Sequence, residues 1–81
     1  MFYVYLIESE REPKQVYIGH TSDLRERISD HNAGRSPHTA KYRPWRLVCY
    51  HAFADKRRAV EFEAYLKSGS GRAFRKRHFG I

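Results

Sequence analysis

Residues 2–8 read Phe-Tyr-Val-Tyr-Leu-Ile-Glu and residues 16–19 read Val-Tyr-Ile-Gly, and these two stretches decide the fold. In the first, Phe2, Val4 and Leu6 alternate with Tyr3, Tyr5 and Ile7, the period-two pattern of a strand with two usable faces. In the second, Val16 and Ile18 share one face while Tyr17 and Gly19 share the other. Ser9 to Lys14 is charged and contains Pro13, so it reads as the loop of a hairpin. An antiparallel, in-register pair puts Tyr5 and Tyr17 on one face.

Working outward, Asp23 with Glu26 three residues later forms a capping box, and Gly34 is a helix stop, which predicts a helix from Leu24 to Asn32. A basic loop (Arg35, His38, Lys41, Arg43) ends at Pro44. Leu47 to Phe53 reads as a third strand in which Cys49 alternates with Leu47 as core, and Trp45 plugs the space between sheet and helices. Asp55 caps a second helix running to Lys67, Gly69-Ser70-Gly71 ends it, and Arg72 to Arg77 forms a short last helix. The expected fold class is α/β (α+β): residues 1–81 form one domain, a small three-stranded, mainly antiparallel sheet flanked by two helices and a short C-terminal one.

Eighty-one residues make one compact unit of marginal core size, with no room for a separate targeting or binding domain. The apolar start at Phe2 breaks at Glu8, and no long apolar run follows, which argues against a membrane span and a secretory signal. Cys49 is alone, so no internal disulfide or Cys-based zinc site forms, and a reducing cytoplasm is the natural home. The formal charge of +7 is uneven: residues 1–33 hold four Lys/Arg against six Asp/Glu, and residues 34–81 hold twelve against three. Such a basic half attracts polyanions and releases counterions on docking to phosphates. Clustering of Arg35, Lys41 and Arg43 in the loop, and of Arg72, Arg75, Lys76 and Arg77 in the tail, favours nucleic-acid backbone contacts over a merely solvated surface.

Helical geometry weighs the polar candidates. With Leu24 and Ile28 as the buried axis of the first helix, His31 lies about 40° away and Arg27 about 80°, on the same shoulder. Arg25 lies equally far round the opposite shoulder, so periodicity does not choose between the arginines; the i, i+4 partner His31 favours Arg27. In the second helix Ala59, Phe62, Tyr65 and Leu66 define the buried stripe, with Glu63 at its edge and Glu61 turned toward water. A half-desolvated Glu63 suits a metal ligand, and it equally suits an i, i+4 pair with Lys67 worth a few tenths of a kcal/mol. Helix geometry leaves those two readings balanced. His38, His51 and His78 share no metal-ligand spacing and read as incidental, with His38 and His78 able to touch a nucleic-acid backbone.

Tyr3-Val4-Tyr5, Tyr17-Ile18-Gly19, Arg27, His31 and Glu63, in that order, resemble the GIY-YIG nuclease family. The resemblance runs from about Phe2 to Lys67 and into the Gly69-Ser70-Gly71-Arg72 turn, and it is closest to the small stand-alone members. It implies an endonuclease-like protein that hydrolyses DNA phosphodiester bonds with one Mg²⁺ (or Mn²⁺) ion held by Glu63. One carboxylate matches an ion that keeps several waters and shares substrate phosphate. Arg27 would grip non-bridging oxygens through its forked donors. Tyr17 would be the general base toward water, although a phenol near pKa ~10 needs neighbouring cations, here His20, Arg27 and the metal, to serve at neutral pH. Tyr5 would orient water or phosphate, His31 would bond a phosphate oxygen or tune Tyr17, and Gly19 and His20 would support the site. Tyr3 stands where the first family motif has glycine, His20 stands where some members carry lysine, and a late asparagine has no counterpart in the tail. Two other functions stay open at this stage: a nucleic-acid-binding module that barely cleaves, and a partner domain in a DNA-repair complex.

Overall fold

The computed structural model describes residues 1–12 and 15–81. Strand β1 (Phe2–Ser9) is the middle of a three-stranded antiparallel sheet, with β2 (Val16–Thr21) on one side and β3 (Trp45–Phe53) on the other. Pro13 and Lys14 of the expected hairpin loop lie outside the described residues. Because β1 is central it is covered on both faces, and Val4, Tyr5, Leu6 and Ile7 are all fully buried. Period two then divides them. Val4 and Leu6 join Ile18, Ala59 and Leu66 in one cluster, while Tyr5 and Ile7 join Trp45 in another. Each aliphatic side chain so buried contributes on the order of 1.5–3 kcal/mol.

Helix α1 (Leu24–Ala33) covers the Tyr5 face with Leu24 and Ile28; Asp23 caps it by accepting from the Glu26 N–H and Gly34 caps the end, but only half of the expected capping box forms, because the Asp23 N–H donates to Thr21 Oγ1 at 3.1 Å. Helices α2 (Lys56–Lys67) and α3 (Gly69–Phe79) cover the Val4 face with Ala59, Phe62, Leu66, Phe74 and Phe79. Among the described residues no helix is long and apolar enough to cross a membrane.

The structure corrects the sequence reading at four further places. Strand β3 begins at Trp45, earlier than expected, because Asn32 at the end of α1 clamps it: the Trp45 N–H donates to Asn32 Oδ1 at 2.5 Å, and Asn32 Nδ2 donates to the Trp45 carbonyl at 3.1 Å. Within β3 the register against β1 slips between Leu6 and Ile7: Leu6 pairs with Cys49 but Ile7 pairs with Leu47, so Val48 is an extra residue. The slip puts Leu47 and Cys49 on opposite faces. Cys49 packs, half-buried, against the Val4 cluster, and Leu47 turns toward α1 and solvent.

The Gly69-Ser70-Gly71 run is not a stop but the first turn of α3. Ser68 alone breaks the chain: its N–H bonds back to Tyr65 as the α2 cap, and its side chain accepts from the Gly71 N–H as the α3 cap. A Cβ at Gly71 would sit 1.7 Å from the Tyr65 carbonyl oxygen, so only glycine permits so tight a turn. Finally Tyr65, expected in the buried stripe of α2, is 40% exposed, stacking on Phe62 and meeting Phe74 edge-on at the rim.

Candidate active site

On the α1 side of the sheet, Tyr5 points into a dry polar network. Its hydroxyl lies 2.7 Å from His31 Nε2, and His31 Nδ1 lies 2.7 Å from Thr39 Oγ1. Thr39 donates onward to the Ser36 carbonyl at 3.4 Å, so its oxygen accepts from Nδ1–H. That tautomer leaves Nε2 to accept the Tyr5 proton. Arg27 Nε donates to the same Tyr5 oxygen at 3.4 Å. His31 projects from the last turn of α1, and Thr39 sits in the segment between α1 and β3, held there by a 3₁₀ turn at Ala40–Tyr42 and by the Trp45 indole, which donates to the Thr39 carbonyl at 2.9 Å.

Burial sets the protonation states. Desolvation pushes the Tyr5 phenol up to about 12, against the opposing pull of the Arg27 hydrogen bond, so Tyr5 stays protonated. The same bond to Tyr5 raises Arg27 further above its already high value. Burial first, and the Arg27 charge second, lower His31, which keeps it neutral. The sequence reading needs two corrections here. Tyr5 is fully buried with its proton spent on His31, and His31 has both ring nitrogens engaged inside the protein. Neither has a free atom for a phosphate.

Tyr17 faces this network from the neighbouring strand, its ring 5.0 Å from that of His31 and 6.3 Å from that of Tyr5. It is half-buried, with one edge at the surface. Gly19 opposes Tyr5 across the ladder, and a Cβ there would come within 2.6 Å of the Tyr5 hydroxyl; the missing side chain makes room for the tyrosine.

The α2 side presents the carboxylate. Glu63 Oε2 accepts from Lys67 Nζ at 2.6 Å, and Oε1 is bonded to His20 Nδ1 on β2. Burial alone would raise its pKa, but the Lys67 and His20 bonds outweigh that and hold Glu63 below the ordinary carboxylate range. Glu61 points to water and pairs only with Arg57. Next to His20 opens a groove of about 350 Å³ lined by Phe2, Thr21, Ser22, Arg27 and Lys56 as well. Arg27 therefore reaches both the buried network and this open groove, whereas Arg25 lines a different groove beside Tyr3, Leu24 and Tyr50. The two arginines that periodicity left equivalent thus face different grooves.

Of the expected backbone contacts, Arg35 pairs with Asp30 at 2.7 Å, and Arg43 donates to the Ala40 carbonyl and lies against Gly34. Lys41, Arg72, Lys76 and Arg77 are exposed. Arg75 is only half-exposed, bonded to the Ile81 carbonyl at 2.6 Å. His51, taken as incidental, is packed between Phe62 and Phe79. Sequence reasoning missed Thr39 and Lys56, which gave no local signal. It had Lys67 only as the alternative partner of Glu63, although the i, i+4 spacing marked it.

Residues 1–77 match the family of GIY-YIG catalytic domains, and the chain belongs to that family, whose members are generally endonucleases. Within it, the chain is similar to the UPF0213 proteins. Those of Streptococcus pyogenes serotype M5 (strain Manfredo) and serotype M2 (strain MGAS10270) are each 36% identical over 72 residues, which is 88% of this chain and 76% of theirs. The solution NMR structure of the UPF0213 protein BH0048 from Bacillus halodurans shares 33% identity and superposes with a TM-score of 0.55, over 94% of this chain and 81% of that one.

Proposed function

We propose that this protein is a metal-dependent endonuclease that hydrolyses DNA phosphodiester bonds at the outer edge of β2. The observation that best supports this is Arg27. Its Nε donates to Tyr5 and its guanidinium also faces Tyr17, while its forked donors line the groove it shares with His20 and Lys56, where a phosphate can meet them.

Among the described residues no group of three or more His, Cys, Asp and Glu side chains converges to cage a metal. The donor set on offer is one anionic, half-buried carboxylate beside a groove for phosphate, and that fits a mostly hydrated Mg²⁺ or Mn²⁺ on Glu63. When bound, the ion neutralises charge developing on the phosphate and the leaving oxygen. The chain's own residues do the rest. Arg27 clamps non-bridging oxygens, and Tyr5, His31 and Thr39 hold Arg27 and the Tyr17 ring in place from below. Tyr17, at the surface edge of that network, gives its own phenol proton to solvent and then takes the proton of the attacking water. Lys56 supplies positive potential along the groove, which His20 also lines.

The test is cleavage of labelled single-stranded, duplex, nicked and branched DNA, with RNA alongside, in Mg²⁺, Mn²⁺ or chelator. Glu63→Ala should lower the rate on the order of a hundredfold or more while DNA affinity persists, a loss of the size seen when a transition-state stabilising group is removed. Parent-rate cleavage by this variant would remove Glu63 from the chemistry. The capping of both Glu63 oxygens by Lys67 and His20 favours one second reading, a binding module that barely cuts. Tight binding with no cutting of any substrate would select it.

A further inference from the structure

A second groove opens on the other flank of Glu63, between β2 and the α2–α3 turn. It holds about 190 Å³ and is lined by Val16, Tyr17, Ile18, Lys67, Arg72 and Arg75. Three cations and no carboxylate line it. Lys67 gives one donor to Glu63 and keeps two. Arg72 is exposed and, among the described residues, has no carboxylate partner. Arg75 donates to the Ile81 carbonyl, but its Nε is buried with no partner. Leaving a buried charged donor unsatisfied is costly, and so is placing two guanidiniums one helical turn apart without an anion. Burial and the Arg72 charge both lower the Arg75 pKa, the direction expected of a site short of negative charge. The tight turn at Gly71 is what brings Arg72 and Arg75 back beside Lys67.

Tyr17 lines this groove and also packs on His31, so the groove begins where the catalytic surface ends. We propose that the Lys67–Arg72–Arg75 groove seats the phosphodiester next to the scissile one on the strand being cut. This deepens the endonuclease reading and rests on it. The strand would run along the outer edge of β2, with one phosphate at Arg27 and Lys56, and its neighbour at Lys67 and Arg72. Arg75, fixed by Ile81, forms the floor. Because no base edge is read here, the contact is indifferent to sequence.

The experiment uses fluorescein-labelled single-stranded DNA in which a neutral methylphosphonate replaces one phosphate at a time. Binding is measured by anisotropy in chelator and cleavage in Mg²⁺. Neutralising the phosphate adjacent to the cut should weaken binding of the parent roughly three- to tenfold. Arg72→Ala should bind the all-phosphate strand more weakly by a similar factor, lower the log–log salt slope by about 0.7, the value per phosphate neutralised on a single strand, and no longer respond to that methylphosphonate. Arg46→Ala, on β3 at the opposite edge of the sheet from β2, should leave the slope unchanged. Equal sensitivity of parent and Arg72→Ala to every methylphosphonate overturns the groove assignment. Since the binding arm needs no turnover, a parent that cuts nothing but whose binding responds to one methylphosphonate position only while Arg72 is present overturns the endonuclease reading and leaves the groove standing as a phosphate site.

Discussion

The two faces of the sheet carry polar groups of opposite kinds. Under α1, Tyr5, His31 and Thr39 are fully enclosed, and each ring or hydroxyl has a named partner. Under α2, Glu63 is held by His20 and Lys67, side chains that are 37% and 51% exposed. The first set is a scaffold, since removing a member strands its partners away from water. The second is exchangeable, since water or a metal ion can replace the Lys67 or His20 contact at little cost, which frees Lys67 for a phosphate. A hydrolytic site needs both, one half to hold geometry and one half to turn over ligands. Arg27 is the residue that joins them.

The sharpest way to break this contrast is stability. His31→Ala should lower the unfolding free energy by about 2–4 kcal/mol, because it leaves a cavity and removes one partner from each of two buried hydroxyls. Lys67→Ala should cost less than about 1 kcal/mol, as for an exposed pair. Similar denaturation midpoints for the two variants would erase the distinction between the faces. Next comes the junction. Arg27→Lys keeps the charge but loses both the fork and the Nε bond to Tyr5, so cleavage should fall about ten- to a hundredfold with little change in DNA affinity. Parent-like rates would mean that charge alone matters at that position.

The smallest effect is in pH. His31 is held below its unfolded value, so below about pH 6.5 the unfolded chain binds a proton that the folded one refuses. Stability attributable to this group is present above that pH and is lost as pH falls toward the folded pKa. His51, lowered by burial, adds the same sign. Urea titrations between pH 7 and 5 should therefore show a decline that His31→Gln flattens but does not abolish. An unchanged slope would mean that His31 is not neutral in the folded protein.

Strands, the Asp23 cap of α1 with its Gly34 stop and the Asp55 start of α2 were legible because they are local: alternation, a side chain within three residues of the N–H it caps, a stop glycine. So was the meeting of Tyr5, Tyr17, Arg27 and His31, which follows from strand parity and one helical step. The bulge at Val48 was not, since it exists only relative to β1. Nor was the true start of α3: a Gly-Ser-Gly run has poor helix propensity, and tertiary packing against Tyr65 and Leu66 overrides it. Thr39 escaped because a loop residue gives no periodicity to read. Glu63 was found at the core edge, but that both its oxygens are engaged depends on β2 lying beside α2.

The extra residue in β3 also bears on how copies of this protein meet one another. β3 is an edge strand nine residues long, with Tyr50 51% exposed, and a straight strand of that length is a template on which another chain can zip. The bulge at Val48 bends it and breaks its repeat midway, leaving two short stretches where a longer one would recruit neighbours. A kink that looks like a defect of pairing thus doubles as a safeguard of solubility in a chain otherwise short of means to hide its margins.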